Sequence, residues 1–546
     1  MNGAQALVEQ LLVEDVDTIF ALPGVQIMSI FDALYDAKKS IRLIQTRHEQ
    51  AATYMAYGYA KATGKTGVAI VVPGPGALNA SAGLGTAYAG SAPVLLISGQ
   101  IHSDALGKGQ GQLHEIDDQL DIFKPITKWN YRVEAAEEIP EAIRESMCRL
   151  KTGRPRPVEL EISFNLLDEQ CNADIFRSID CPPMMGSELD MQAAAKLLMN
   201  AKKPVIIAGG GSVISGASEE LLALGNFIQA PIITTQQGKG VIPEENNLSV
   251  GVNYALVGPA RTVIPQCDVI LAVGTRLLLP NIEIGENQKV IQIDVDAEVL
   301  GKNYLTTIAI EADAKETLRY VVRYLHQNSS PRSERSEAIK SYKKAFAKEL
   351  DHLAPEQMKI IRTLRKCLNE DAVVISGITN IGSWSHFGYP VSQPRSYITS
   401  SYFGTLGYAF PTALGVKAAF KNKQVVAICG DGGFLYSAQE MATAVKYGLN
   451  IVILVFNNDS YGASEWHQTY DYKGRSIGTR LLNPDFPKFA SSFGAIGLRT
   501  TPEMLGDALE EALGEQRPVV LEVTVPNWMP PFHLVGHGSD QGMERA

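Results

Sequence analysis

Two short polar clusters in the chain carry groups that bind metal and phosphate. "GDGG" sets Asp431 among Gly430, Gly432 and Gly433, and "NN" sets Asn457 beside Asn458, with 24 residues between Gly432 and Asn457. Aspartate and asparagine offer hard oxygen atoms of the kind magnesium takes, and phosphate oxygens and water complete its octahedron. Glycines let backbone approach a phosphate closely, and a helix that starts after them points free N–H groups at the anion. Either cluster alone is most often a turn or the start of a loop. The spacing argues for more, because a helix-like stretch followed by "NIVILVF" is room for one helix and one strand. That unit returns both clusters to the carboxyl edge of one parallel sheet, where ligands of open α/β sheets sit. The pair reads as a clamp for a diphosphate and a divalent metal.

The elements that must position this clamp recur along the chain. Strand-length apolar runs alternate with helix-period segments: "DTIFAL", "GVAIVV" and "APVLLISG" early, "KPVIIAGG", "APIITT", "DVILAVG" and "KVIQIDV" in the middle, "AVVISG", "QVVAICG", "NIVILVF" and "RPVVLEV" late. Such alternation predicts α/β architecture with buried parallel sheets. Polar stretches near 168–187 and from His326 ("HQNSSPRSERSE") divide it into three domains. A length of 546 residues agrees, being too great for one core.

Composition narrows the class. The formal charge of -10 is spread without long runs, which argues against nucleic acid or a membrane surface as partner. Six cysteines without a CxxC pair suit buried or inert thiols in a reducing compartment, so a cytoplasmic protein is expected. The amino terminus lacks a cationic start and reads as an amphipathic helix, not a signal peptide. No stretch reaches the roughly 18 apolar residues of a spanning helix.

Gly-Asp-Gly, 24 residues, then Asn-Asn resembles the signature of thiamine diphosphate enzymes, and the resemblance extends over most of the chain. It implies three doubly wound parallel-sheet domains: a pyrimidine-binding domain at 1–168, a central Rossmann-like domain at 188–326, and a diphosphate-binding domain with tail at 355–546. By the same resemblance Asp431, Asn458 and the backbone carbonyl of Ser460 hold Mg2+, while Asn380, Gly430, Gly432, Gly433, Tyr461 and Gly462 surround the cofactor.

A second part of that site is implied by "RHEQAATYMAYGYAKATG". A glutamate in the first turn of a helix is ordinarily a solvated residue that complements the helix dipole. The resemblance assigns Glu49 instead to the aminopyrimidine ring, where a carboxyl group favours the tautomer able to take a proton from the reacting carbon. "VVPGPGALNA" resembles the family's Gly-Pro-Gly loop, so Pro73, Gly74, Gly76 and Asn79 are expected around the pyrimidine. "SSYFGTLGYAFPTALG" aligns Leu406 with the bulky residue between the two cofactor rings and Gly404 with a carbonyl that accepts from the amino group.

Substrate choice rests on two further loops, which resemble those of acetolactate synthase and benzaldehyde lyase. "ALPGVQIMSIFDAL" puts Gln26 where the lyase has histidine, and "GQGQLHEIDDQLDIF" puts His114 where those enzymes have glutamine, so the two appear exchanged relative to the lyase. His114 and Gln26 are the expected catalytic partners of Glu49, with Leu113 and Trp466 as further lining residues. In the middle domain "VIIAGGGSV" suits FAD or ADP, but "GTRLLLPN" lacks the "FDDR" text of flavin-binding relatives, so neither is favoured there.

The resemblance implies a carbon–carbon lyase or carboligase acting on 2-oxo acids or 2-hydroxy ketones, nearest to acetolactate synthase. Benzaldehyde lyase-type cleavage, oxalyl-CoA lyase chemistry and a flavin-dependent oxidase of the same fold are the alternatives. A remnant without activity is disfavoured because Glu49, Asp431 and Asn458 are all present. Glu49 and Asp431 lie in different domains, and in this family those domains face each other across subunits, which implies a homodimer at minimum and commonly a homotetramer. The tail from Asn527 is expected either to close over the site or to lie free.

Overall fold

The structure, a computed structural model, describes residues 1–254, 257–333 and 335–531. Most of the expected tail, residues 532–546, lies outside the described residues. The described residues form three six-stranded sheets in which every named pair of strands is parallel. No described helix is long and apolar enough to cross a membrane.

The first sheet contains β1 (Thr18–Ala21), β2 (Arg42–Gln45), β3 (Gly67–Val71), β4 (Val94–Gln100), β5 (Trp129–Arg132) and β6 (Val158–Ser163), ordered β2-β1-β3-β4-β6-β5. The second contains β7 (Pro204–Ala208), β8 (Ile232–Thr235), β9 (Ser249–Asn253), β10 (Val269–Val273), β11 (Lys289–Asp294) and β12 (Ile308–Glu311), ordered β12-β11-β10-β7-β8-β9. The third contains β13 (Val373–Ser376), β14 (Tyr397–Thr399), β15 (Val425–Gly430), β16 (Val452–Asn457), β17 (Ile496–Thr500) and β18 (Val519–Thr524), ordered β14-β13-β15-β16-β18-β17.

The first and third sheets therefore share one order, second-first-third-fourth-sixth-fifth, and the middle sheet has the order of a dinucleotide-binding fold. In the outer sheets the order reverses between the first and third strands, at β1/β3 and at β13/β15. The crevice beyond the strand ends at that reversal is where doubly wound sheets bind ligands.

All eleven apolar runs became strands. "VVAIC" and "VILVF" are buried along their whole length, as strands covered on both faces must be. The spacer between the two polar clusters differs from the expected single helix. It breaks into Asp431–Leu435, a 3-10 turn Ala438–Glu440 and Met441–Lys446. The helix before the second polar stretch also runs on through Asn328, past His326.

The outer sheets are joined within the chain. Helix Glu49–Thr63 lies on helix Ala409–Ala419, and a glycine marks each close approach. A Cβ at Gly58 would stand 2.1 Å from the carbonyl oxygen of Thr412, and one at Gly415 would stand 2.0 Å from that of Met55. One apolar core, from Phe20 and Tyr54 through Phe410 and Val520, runs across both units.

Candidate active site

The carboxyl end of β15 delivers Gly430 and Asp431, and the end of β16 delivers Asn457 and Asn458 to the same edge. Asp431 is 2 % exposed. Burial raises its pKa, while the Asn483 amide and backbone N–H groups of Gly432 and Ser460 hold it down, and it has no ion pair among the described residues. Asn483 Nδ2 donates to Asp431 Oδ2 at 2.8 Å, to Asn457 Oδ1 at 3.1 Å and to Asp459 Oδ1 at 2.9 Å.

The two asparagines are not equivalent. Asn457 is committed to the fold: its Nδ2 donates to Glu522 Oε1 at 2.8 Å and its Oδ1 accepts the Asp459 N–H at 3.0 Å. Asn458 lies against Gly462, with its Nδ2 2.7 Å from where a Cβ would stand. Asp459 takes a left-handed φ of 51°, which turns the chain sharply into Ser460. The turn is pinned by Tyr461 N–H to Thr479 O and Leu481 N–H to Asp459 O, both at 2.8 Å.

Leu406 reaches over this edge, its Cδ2 3.9 Å from a Cβ position at Gly433. Gly404, left-handed at φ 64°, faces open space. The Asn380 amide donates to the carbonyl oxygens of Trp528 and Met529 at 2.9 and 3.0 Å, so it anchors the start of the tail to this edge. Trp466 Nε1 donates to Asn527 O at 3.2 Å in the same region.

The equivalent edge of the first sheet gathers the remaining candidates. Glu49 begins its helix behind His48, whose Nδ1 accepts the Gln50 N–H at 3.2 Å. Only 8 % exposed, Glu49 accepts from Asn79 Nδ2 at 3.0 Å and lies 3.5 Å from a Cβ position at Gly76. Gln26 Nε2 donates to Leu113 O at 3.1 Å, which joins the two substrate loops into one wall. The His114 carbonyl would stand 2.4 Å from a Cβ at Gly74, so glycine is required where these backbones touch. Leu113 itself is 64 % exposed.

Two buried atoms on this wall, Gln26 Oε1 and His114 Nδ1, have no hydrogen-bond partner among the described residues. Buried polar atoms rarely stay unpaired, so such a pair on one wall marks a place for a polar ligand. The third sheet thus offers an acidic, oxygen-rich edge whose Asp431 has no ion pair among the described residues, and the first offers a wall with unpaired polar atoms. A cofactor with a metal-bound diphosphate at one end and a hydrogen-bonding ring at the other fits these residues.

The middle sheet is different. Gly209 N–H and Gly211 N–H donate to Val273 O and Gly274 O at 2.8 and 2.9 Å, and are spent on the neighbouring strand end instead of facing a phosphate.

Several contributors escaped the sequence reading. Asn483 is 52 residues from Asp431, and Glu440, which accepts backbone N–H groups just ahead of Glu49, is 393 residues from Arg47. Nothing local marks either one, although Glu440 lies in the spacer between Asp431 and Asn457.

Comparison with known proteins agrees with this geometry. Family models match in three stretches: the N-terminal TPP binding domain of thiamine pyrophosphate enzymes over residues 1–122, their central domain over 191–321 and their C-terminal TPP binding domain over 377–523. The chain is 35% identical over 549 residues to the probable acetolactate synthase large subunit of Methanocaldococcus jannaschii, covering 96% of this chain and 92% of that one. It is 33% identical over 543 residues to the acetolactate synthase large subunit of Haemophilus influenzae, covering 95% and 93%. A probable 2-ketoarginine decarboxylase of Pseudomonas aeruginosa is 33% identical over 503 residues, covering 90% and 88%. The chain belongs to the thiamine pyrophosphate enzyme family, among its acetolactate synthase-like members.

Proposed function

We propose that this thiamine diphosphate-dependent enzyme uses Mg2+ to make or break a carbon–carbon bond beside the carbonyl of a pyruvate-like 2-oxo acid or a 2-hydroxy ketone. The observation that carries the reading is that two sheets of one topology each gather candidate polar groups beyond their strand ends, Gln26 after β1 and Glu49 after β2 in the first, Asp431 after β15 and Asn458 after β16 in the third. Bound thiamine diphosphate supplies a carbon nucleophile that also stores the electron pair left by the broken bond.

The chain's own residues divide the remaining work. Asp431, Asn458 and the Ser460 carbonyl hold the metal, and Gly430, Gly432 and Gly433 leave room for the diphosphate. Leu406 would supply an apolar contact to the bound cofactor beside Gly433. Glu49, oriented by Asn79, would hold or release a proton at its carboxyl group beside the cofactor's ring. His114 and Gln26 present their unpaired atoms to the substrate, where the imidazole can accept or donate a hydrogen bond. Pairing of Glu49 with a second copy's Asp431 makes a homodimer the smallest active unit and a homotetramer the expected one. The middle domain works without FAD or ADP, a reading supported by the occupied glycine N–H groups.

The test is reconstitution with thiamine diphosphate and Mg2+, followed by pyruvate, benzoylformate, benzoin, acetoin and oxalyl-CoA in separate reactions with products identified by mass. Cofactor-dependent CO2 release or acyloin formation supports the reading. Inactivity toward the whole panel with cofactor bound would overturn the substrate class.

A further inference from the structure

We propose that Gln119 is a positioning residue for the substrate wall: it clamps the Gly74 turn, against which His114 rests, to the buried Glu161 carboxyl group and to Ser98 and Gly99 of β4. The inference deepens the proposed function and rests on that reading for the role of His114.

Gln119 is fully buried at the start of helix Gln119–Phe123, behind the loop that carries Leu113 and His114. Its Oε1 accepts the Gly74 N–H at 2.9 Å. Its Nε2 faces Ser98 Oγ at 3.0 Å, Gly99 O at 3.1 Å and Glu161 Oε2 at 3.2 Å. Only the amide oxygen can receive an N–H and only the amide nitrogen can face a carbonyl and a carboxylate, so the side chain has one workable orientation.

What it holds is the turn under His114. Gly74 has φ 56° and ψ -109°, a conformation that side chains resist, and a Cβ there would strike the His114 carbonyl. Gln26 grips the same loop from the other side through Leu113 O. The wall is therefore fixed at two points, and Gln119 is the one that reaches into the sheet.

Beneath it, Glu159 and Glu161 point to one face of β6, and both side chains are fully enclosed. Arg132 pairs with Glu161. Glu159 has Ser98 Oγ as partner and no ion pair of its own among the described residues. Burial, with Glu161 nearby, drives the Glu159 pKa well above the ordinary range and favours its protonated form. Burial raises the Glu161 pKa as well, while the Arg132 ion pair and a hydrogen bond from Gln100 lower it, and its Oε2 accepts from Gln119.

The test compares the holoenzyme with Gln119→Met, of similar size but without the amide. Hydrogen exchange read by mass spectrometry is expected to speed up in peptides covering 72–78 and 110–118 and to stay unchanged over 425–435. Turnover should fall about tenfold or more, as for a misplaced group that does not itself react. In a His114→Ala background the same change should cost less than about threefold, the non-additivity of residues acting through each other. Equal losses in both backgrounds, or unchanged exchange, would overturn the proposal. Ser98→Ala serves if Gln119→Met does not fold: faster exchange in the same two segments supports the clamp, and none contradicts it. The exchange measurement needs no substrate, so it still decides the clamp if the substrate assignment fails.

Discussion

Arg47 donates its backbone N–H to both carboxylate oxygens of Glu440, at 3.0 and 3.2 Å. Glu440 stands at the end of the 3-10 turn that follows the Asp431 helix, and Arg47 stands two residues before Glu49. The link ties the start of the Glu49 helix to the diphosphate side of the same chain. Thr443 Oγ1 completes the shell around the carboxylate at 2.6 Å.

That link titrates. Burial is the largest influence on Glu440 and pushes its pKa from 4.5 up to about 7, against the lowering effect of Thr443 and the Arg47 and His48 N–H groups. A carboxyl held more strongly protonated in the fold contributes stability that is complete below 4.5 and is lost as pH rises through about 7. The contribution is up to about 3 kcal/mol. Thermal melting of the wild type should weaken between pH 4.5 and about 7, the window of that shift, and Glu440→Gln should flatten the slope. An unchanged slope in the variant would remove Glu440 as its cause.

Asp431→Asn separates stability from function. The carboxylate is buried with no ion pair among the described residues, and an amide keeps one acceptor oxygen for Asn483 and the neighbouring N–H groups. The cofactor-free variant should be more stable than the wild type by about 1 kcal/mol, from relief of an unpaired buried charge. Mg2+-dependent binding of thiamine diphosphate, measured by calorimetry, should be lost. Undiminished binding would exclude Asp431 as a metal ligand.

The packing of the Glu49 helix depends on the absence of a side chain at Gly58. A methyl there would meet the Thr412 carbonyl oxygen at 2.1 Å, a backbone atom that cannot swing aside. Gly58→Ala should destabilise the protein by about 3 kcal/mol, toward the upper end for overpacking. Denaturant midpoints measure this, and a neutral result would mean that the two helices separate easily.

His114→Gln and Gln26→His should each lower turnover by about tenfold or more, within the usual range for a lost proton-transfer group or a misaligned partner. Because Gln26 already bonds the loop that carries His114, the double exchange should recover part of either loss. Steady-state rates of the three variants check it, and strict additivity would show that the loops act independently.

The parts of the fold that were legible in the sequence are the ones where chemistry and pattern coincide locally. "QVVAICG" and "NIVILVF" carry their own burial, so β15 and β16 and the polar groups at their ends follow from short-range text. β6 hides behind "VELEIS", because two glutamates read as solvent-facing when both are in fact enclosed. β5 is half-buried at the edge of its sheet and lacks an apolar run. Glu49 and Asp431 stand out in the sequence through motifs. Asn483, Glu440 and Gln119 act through partners brought close by folding, and no spacing rule connects them to the residues they hold.

The central claim is that Glu49 activates a thiamine diphosphate held by Asp431 and Asn458. Turnover of the 2-oxo acid and acyloin panel by the wild type and by Glu49→Gln, each loaded with thiamine diphosphate and Mg2+, tests it most directly. The wild type should turn over, and Glu49→Gln should keep its fold and its cofactor while losing about a thousandfold in rate, the scale of a missing acid-base group. A Glu49→Gln enzyme as fast as the wild type would contradict the account.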